Sequence, residues 1–151
     1  MIDLVVQNAS IGPDIPLEKS FQLWVEAALA NHASDAAVTL RLVDEPEGRE
    51  LNQRFRKKDN ATNVLSFPCD LSDESGLRIL GDIVVCEPVV TREALEQGKH
   101  PGDHWAHVII HGLLHLLGFD HIESQQAEEM EGLEVSLLRE MDVSNPYSKS
   151  A

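Results

Sequence analysis

Apolar residues along this chain recur with strand and helix periods in turn over the first half, and mostly with the helical period afterwards. Ile2-Asp3-Leu4-Val5-Val6 predicts a strand. Asp14 and Pro16 then open a helix on which Leu17, Phe21, Trp24 and Ala28 recur at helical spacing. Ala37 to Val43 alternates like a half-buried strand. Asp44, with Glu47 three residues on and Pro46 between them, has the form of a capping box and predicts a helix to about Phe55, with Leu51 and Phe55 toward the core. Val64 to Phe67 predicts a third strand ended by Pro68, Asp70 to Gly76 a polar loop, and Ile79 to Cys86 a fourth strand.

Pro88 starts a helix that ends near Gly98, and Pro101-Gly102-Asp103 stops and restarts the chain. A further helix is predicted from about His104 to Leu117, before Gly118. At 100° per residue, His104, His107, His111 and His115 fall within about 80° of one another on that helix, and apolar residues take nearly all the rest. Such a helix belongs at the buried centre of a domain, with its one polar stripe facing a cleft. After His121 an acidic helix carries Ala127, Met130, Leu133, Leu137, Leu138 and Met141 on one face; its Glu128, Glu129, Glu131 and Glu134 read as a solvated outer face. Without repeats or linkers, residues 1–151 form one α+β domain.

At 151 residues with 42% hydrophobic and 25% charged residues, the chain has the make-up of one soluble globular domain large enough to fold without a structural metal. Lys plus Arg number 12 against 26 Asp plus Glu, and the resulting net charge of −14 excludes a general nucleic-acid coat protein and repels membrane surfaces. Cys69 and Cys86, both beside strand-like segments, read as small buried hydrophobes in a reducing cytoplasm. The start at Met1 goes directly into a strand-like run with no secretory pattern, and the apolar stretch from Val108 to Phe119 is too short to span a bilayer.

The chemistry is concentrated in His111-Gly112-Leu113-Leu114-His115. Imidazoles at i and i+4 have Cβ atoms roughly 6 Å apart, close enough for both rings to reach one metal ion. Gly118 can end the helix in a left-handed turn that brings His121 toward the same ion. His107 lies roughly 12 Å along the helix from His115, so those two cannot share an ion, and no turn upstream folds a third histidine onto a His107/His111 pair. His104 and His107 therefore read as core histidines held by hydrogen bonds, and His32 and His100 as surface residues. Three neutral imidazoles leave a divalent ion its full charge, and water in an open fourth position has a pKa that drops toward about 7. That is a hydrolytic centre. Zinc proteases with this ligand spacing carry a glutamate base in H-E-x-x-H where this chain has Gly112. Asp120 reads either as a residue orienting a ligand imidazole or as a turn cap. A positive island of Arg49, Arg54, Arg56, Lys57 and Lys58 stands out against the overall charge, and beside a metal it reads as a phosphate clamp.

The run from His111 to His121, together with Phe55-Arg56-Lys57-Lys58-Asp59-Asn60-Ala61-Thr62-Asn63-Val64-Leu65-Ser66-Phe67-Pro68, Leu80-Gly81-Asp82-Ile83-Val84 and Glu128-Glu129-Met130-Glu131, resembles the YbeY family of bacterial endoribonucleases. The resemblance extends from about Leu51 to Met141. It implies a small mixed sheet of about four strands around a central helix. It also implies a single-strand-specific, metal-dependent endoribonuclease that matures ribosomal RNA, notably the 3′ end of the small-subunit RNA, and serves ribosome quality control. By motif position His111, His115 and His121 would hold the metal, Arg56 would be the functional arginine, and His111 and Arg56 the catalytic pair. Phe119 stands where many members have Tyr. The expected cofactor is one divalent ion, zinc by default and nickel as the alternative. The expected partners are single-stranded regions of ribosomal RNA and the ribosome or its proteins, without DNA or membrane. The nucleophile is either hydroxide or the 2′-OH. A metalloprotease-like hydrolase, weakened by Gly112, and a non-catalytic ribosome-assembly factor with a structural metal are the alternatives.

Overall fold

The computed structural model describes residues 2–30, 32, 35–72, 74–119, 123–143 and 145–147. The elements run β1 (Ile2–Asn8), α1 (Glu18–Leu29), β2 (Ala36–Val43), α2 (Glu45–Arg56), β3 (Val64–Ser72), β4 (Arg78–Cys86), α3 (Glu87–Glu96), α4 (Pro101–Leu116) and α5 (Ser124–Glu140). The strands form one mixed sheet in the order β1-β2-β4-β3. β1 with β2 and β2 with β4 are parallel, and β3 runs antiparallel along β4 at the edge. The fold is the α+β arrangement expected, with α4 at its centre.

Strand alternation sorts side chains to the two faces of the sheet. Ile83 and Val85 of β4 join the large core that α1, α4 and α5 complete, whereas Val84 and Cys86 join a smaller cluster with Val43, Leu65 and Val89 that Leu51 and Phe67 partly cover. Trp105, Val108, Ile109, Ile110, Leu113 and Leu114 are buried around nearly the whole circumference of α4. The helix approaches β3 and β4 closely at Gly112, where a Cβ would lie 3.0 Å from Val64 Cγ2 and 3.1 Å from Ile83 Cγ2. Ser66 Oγ donates to the Gly112 carbonyl at 2.9 Å and fastens the approach.

Several local expectations are corrected. The central helix starts at Pro101 rather than His104, because His100 caps it: its Nδ1 accepts from the Gly102 N–H at 3.2 Å and Pro101 needs no donor partner. α1 likewise begins at Glu18. Asp44 occupies the N-cap of α2, yet no capping box forms. Its carboxylate accepts from Ser10 Oγ and the Ile11 N–H, and Glu47 is held by Arg41 at 2.6 Å. Pro68 does not end β3, which continues to Ser72 with a register shift after Pro68, as an edge strand with one free side permits. The expected loop from Asp70 thus begins as strand. On that edge Cys69 is exposed, whereas Cys86 is buried as expected and burial pushes its thiol up to about 11. Phe55 does not reach the core either: the residue stays 57% exposed, with its ring against Phe67 of the edge strand.

A candidate metal centre on the central helix

α4 carries His104, His107, His111 and His115 along one side, and two carboxylates from neighbouring helices meet them. Glu93 of α3 takes His104 Nε2 at 3.0 Å. Glu134 of α5 lies fully buried between the next two, with His107 Nε2 at 2.9 Å from one oxygen and His111 Nδ1 at 2.6 Å from the other. Tyr147 donates its hydroxyl to Glu134 at 2.5 Å. Burial pushes the Glu134 carboxyl up, but the hydrogen bonds from His107 and His111 outweigh it and hold the group at about 2. Burial and the neighbouring carboxylate raise the Tyr147 phenol.

An ionised carboxylate only accepts, so His111 must carry its proton on Nδ1. Its Nε2 is then an acceptor, and His115 Nε2 hydrogen-bonds to it at 3.2 Å. Two nitrogens bound at 2.0–2.1 Å to one tetrahedral ion would lie about 3.3 Å apart. The two rings are hydrogen-bonded through these atoms, and their spacing suits a shared ion that would take the place of that bond, with Glu134 fixing the tautomer of His111. Among the described residues, His107, His111 and Glu134 also form a group whose ligand atoms lie within 4.8 Å of one another. An ion placed there would have to replace the hydrogen bonds Glu134 already makes, whereas an ion on the two Nε2 atoms keeps them. The third expected ligand, His121, and its neighbour Asp120 lie outside the described residues.

The same face opens into a cleft of about 860 Å³ lined by His111, His115, Gly118, Phe119, Phe55, Arg56, Thr62, Asn63 and the start of β3. Arg56 thus lines the same cleft as His111 and His115. Of its neighbours in the basic island, Arg49 pairs with Asp59 at 2.8 Å and Arg54 with Glu50 at 3.7 Å. Arg56 has no carboxylate partner among the described residues. Its position is set by the end of α2, where Lys57 takes a left-handed conformation (φ 60°) and turns the chain back. Buried Asn52 then holds the following loop by donating to the Asn60 carbonyl at 2.7 Å. At the other end of the cleft Gly118 has φ 102°, and the Gly118 and Phe119 N–H groups bond the His115 and Leu114 carbonyls. This is the helix-ending turn that glycine makes inexpensive. Position 112 faces the sheet, so a glutamate there could not serve the cleft as a base without parting α4 from β3.

A family profile described as Endoribonuclease YbeY matches residues 6–142. The chain belongs to the YbeY endoribonuclease family. A curated Endoribonuclease YbeY of Stutzerimonas stutzeri is 55% identical over 152 residues, covering 100% of this chain and 94% of the relative. Another, from Pseudomonas syringae pv. tomato, is 54% identical and covers 98% of this chain and 89% of the relative. The solution structure of TM1509 from Thermotoga maritima superposes with a TM-score of 0.59 at 29% identity, covering 99% of this chain and 100% of that one.

Within this family frame, the sequence reading missed Glu134 and Tyr147. Glu134 was expected on a solvated face, but it is buried because it falls between Leu137 and Leu138 on the helical wheel, in the middle of the apolar stripe of α5. A lone acid in an apolar stripe opposite a histidine helix was the available signal. Tyr147 lies beyond α5 and had no pattern to announce it. His104 is a core histidine held by a carboxylate, as expected; His107 is bonded to a carboxylate but only partly buried, and His32 and His100 are exposed. Among the described residues, no helix is long and apolar enough to cross a membrane.

Proposed function

We propose that residues 1–151 act as one metal-dependent endoribonuclease domain that cuts single-stranded RNA during maturation of ribosomal RNA, in the cytoplasm. The ion would be held by His111, His115 and His121, with zinc the default identity. The observation that carries this reading is the pair of Nε2 atoms 3.2 Å apart, in a cleft that Arg56 also lines. A divalent ion there supplies Lewis acidity toward a phosphoryl oxygen and toward the attacking oxygen. Arg56 binds the scissile phosphate at two points and stabilises the charge that builds on it. Glu134 keeps the His111 ring oriented and its proton on Nδ1. With a net charge of −14, the protein depends on the ribosome or its proteins to bring RNA to the cleft.

The test is cleavage of an unstructured oligoribonucleotide by the metal-loaded protein, with the same sequence as DNA and with casein as controls. RNA alone should be cut, a chelator should stop the reaction, and zinc should restore it. Arg56→Ala should lose most of the rate while keeping fold and metal, and Arg56→Lys should recover only part, because an ammonium lacks the two-point contact. Cleavage of casein, or wild-type rates in both Arg56 variants, would overturn the reading.

A further inference from the structure

We propose that Phe55 and Arg56 together form a subsite for one nucleotide of the RNA strand, with the Phe55 ring stacked on a base while Arg56 holds the adjoining phosphate. This rests on the ribonuclease reading above. Phe55 is 57% exposed, yet it is held in place. Its ring packs edge-to-face against Phe67, with centroids 5.1 Å apart and planes at 73°. Beneath it α2 ends in the Lys57 cap, whose N–H bonds the Gln53 carbonyl at 3.0 Å, and Asn52 pins the loop that follows. The protein therefore fixes a large apolar ring at the wall of a polar cleft and leaves much of it uncovered. What sets it apart from the other exposed apolar residues is its place in the cleft beside Arg56, where a few polar groups converge on an apolar surface.

The neighbours say what the ligand is. Phe55 and Arg56 are consecutive and line the same cavity, together with Thr62, Asn63 and Ser66. A nucleotide carries a planar base and a charged phosphate joined by a sugar, and the two side chains offer a ring and a planar cation from adjacent positions. Bases inside a duplex are covered on both faces by their stacked neighbours, so only an unpaired, unstacked base can reach the ring. Stacking tolerates any base, because every base has a π-face. It also adds affinity that does not depend on salt, which a strongly acidic protein cannot obtain from its overall field.

The experiment is steady-state cleavage by the metal-loaded protein of one oligoribonucleotide and a series in which each position in turn is abasic. In the wild type, one abasic position next to the cut should raise KM about 5- to 100-fold, as loss of one stacked base does. Phe55→Leu, which keeps an apolar group on Phe67, should raise KM similarly on the intact strand, leave kcat within about twofold, and be indifferent to that abasic position. Phe55→Tyr should behave as wild type. The slope of log KM against log salt should be unchanged in Phe55→Leu and reduced by about 0.7 in Arg56→Ala, the signature of one lost phosphate contact to a single strand. If the wild type shows no abasic dependence, or Phe55→Leu keeps the wild-type KM, the subsite is overturned while the nuclease stands. The abasic series on the wild type decides this even if Phe55→Leu fails to fold. A wild type that cuts no RNA overturns the nuclease reading itself.

Discussion

Two histidines on the central helix are each bonded to a carboxylate from a neighbouring helix, and they serve different ends. His104 is 3% exposed, donates from Nε2 to Glu93, and has its other nitrogen buried without a hydrogen-bond partner among the described residues. Glu93 also accepts from Asn63 at 3.0 Å, so this pair ties α3, α4 and the loop before β3 together. His111 is 25% exposed, donates from Nδ1 to Glu134, and turns its other nitrogen to the cleft beside His115. A carboxylate–histidine pair is thus structural or functional according to where the second nitrogen points. Buried, that nitrogen costs stability; at a cleft it is a preorganised ligand.

The difference can be broken most strongly at His115. His115→Ala should weaken metal binding by more than about 100-fold, since loss of a mere supporting partner already costs 10–100-fold. It should abolish RNA cleavage and leave a cooperative melt, all read from dialysed metal content, an oligonucleotide assay and thermal unfolding. His104→Ala should do the opposite, keeping the ion and lowering stability by about 1–3 kcal/mol through the abandoned Glu93. Glu134→Gln comes next: a neutral amide holds the His111 ring less firmly, and competition with a chelator should show metal affinity down by about 10–100-fold.

The smallest effect belongs to Glu93→Gln, which should leave metal affinity unchanged. Burial pushes the Glu93 carboxyl up, but the hydrogen bonds of His104 and Asn63 outweigh it and hold it below the ordinary value of 4.5. A lowered folded value means that its stabilising contribution is complete above the unfolded value and is lost as pH falls through the folded one. His107 and Lys99 stand on the same side of the group. The gap in urea midpoint between wild type and Glu93→Gln should therefore be widest near neutral pH and close below about 4.5.

What was legible in the sequence follows from what leaves a periodic trace. The α4 helix announced itself through an apolar circumference broken by one histidine stripe, and Gly118 was legible as the left-handed turn that ends it. Glu134 was misread because net acidity on α5 hid the one acid that lies among Met130, Leu137 and Leu138. Tyr147 and the Asn52–Asn60 clamp act through side-chain hydrogen bonds at residues outside the helices' periodic pattern or at its end, which apolar spacing does not encode. Phe55 was placed in the core because apolar spacing cannot tell a buried ring from one at a cleft wall. The capping box at Asp44 failed because other partners claimed both of its carboxylates: Ser10, 34 residues away, took Asp44, and Arg41, six residues before it, took Glu47.

The proposed ligand set of His111, His115 and His121 competes with the group His107, His111 and Glu134. X-ray absorption at the zinc edge of the loaded protein, wild type and His107→Ala, separates the two sets most directly. The account predicts three imidazole nitrogens at about 2.0–2.1 Å in both proteins, with a light oxygen completing the shell. Two imidazoles with a glutamate carboxylate in the wild type, and one imidazole fewer in His107→Ala, would contradict it.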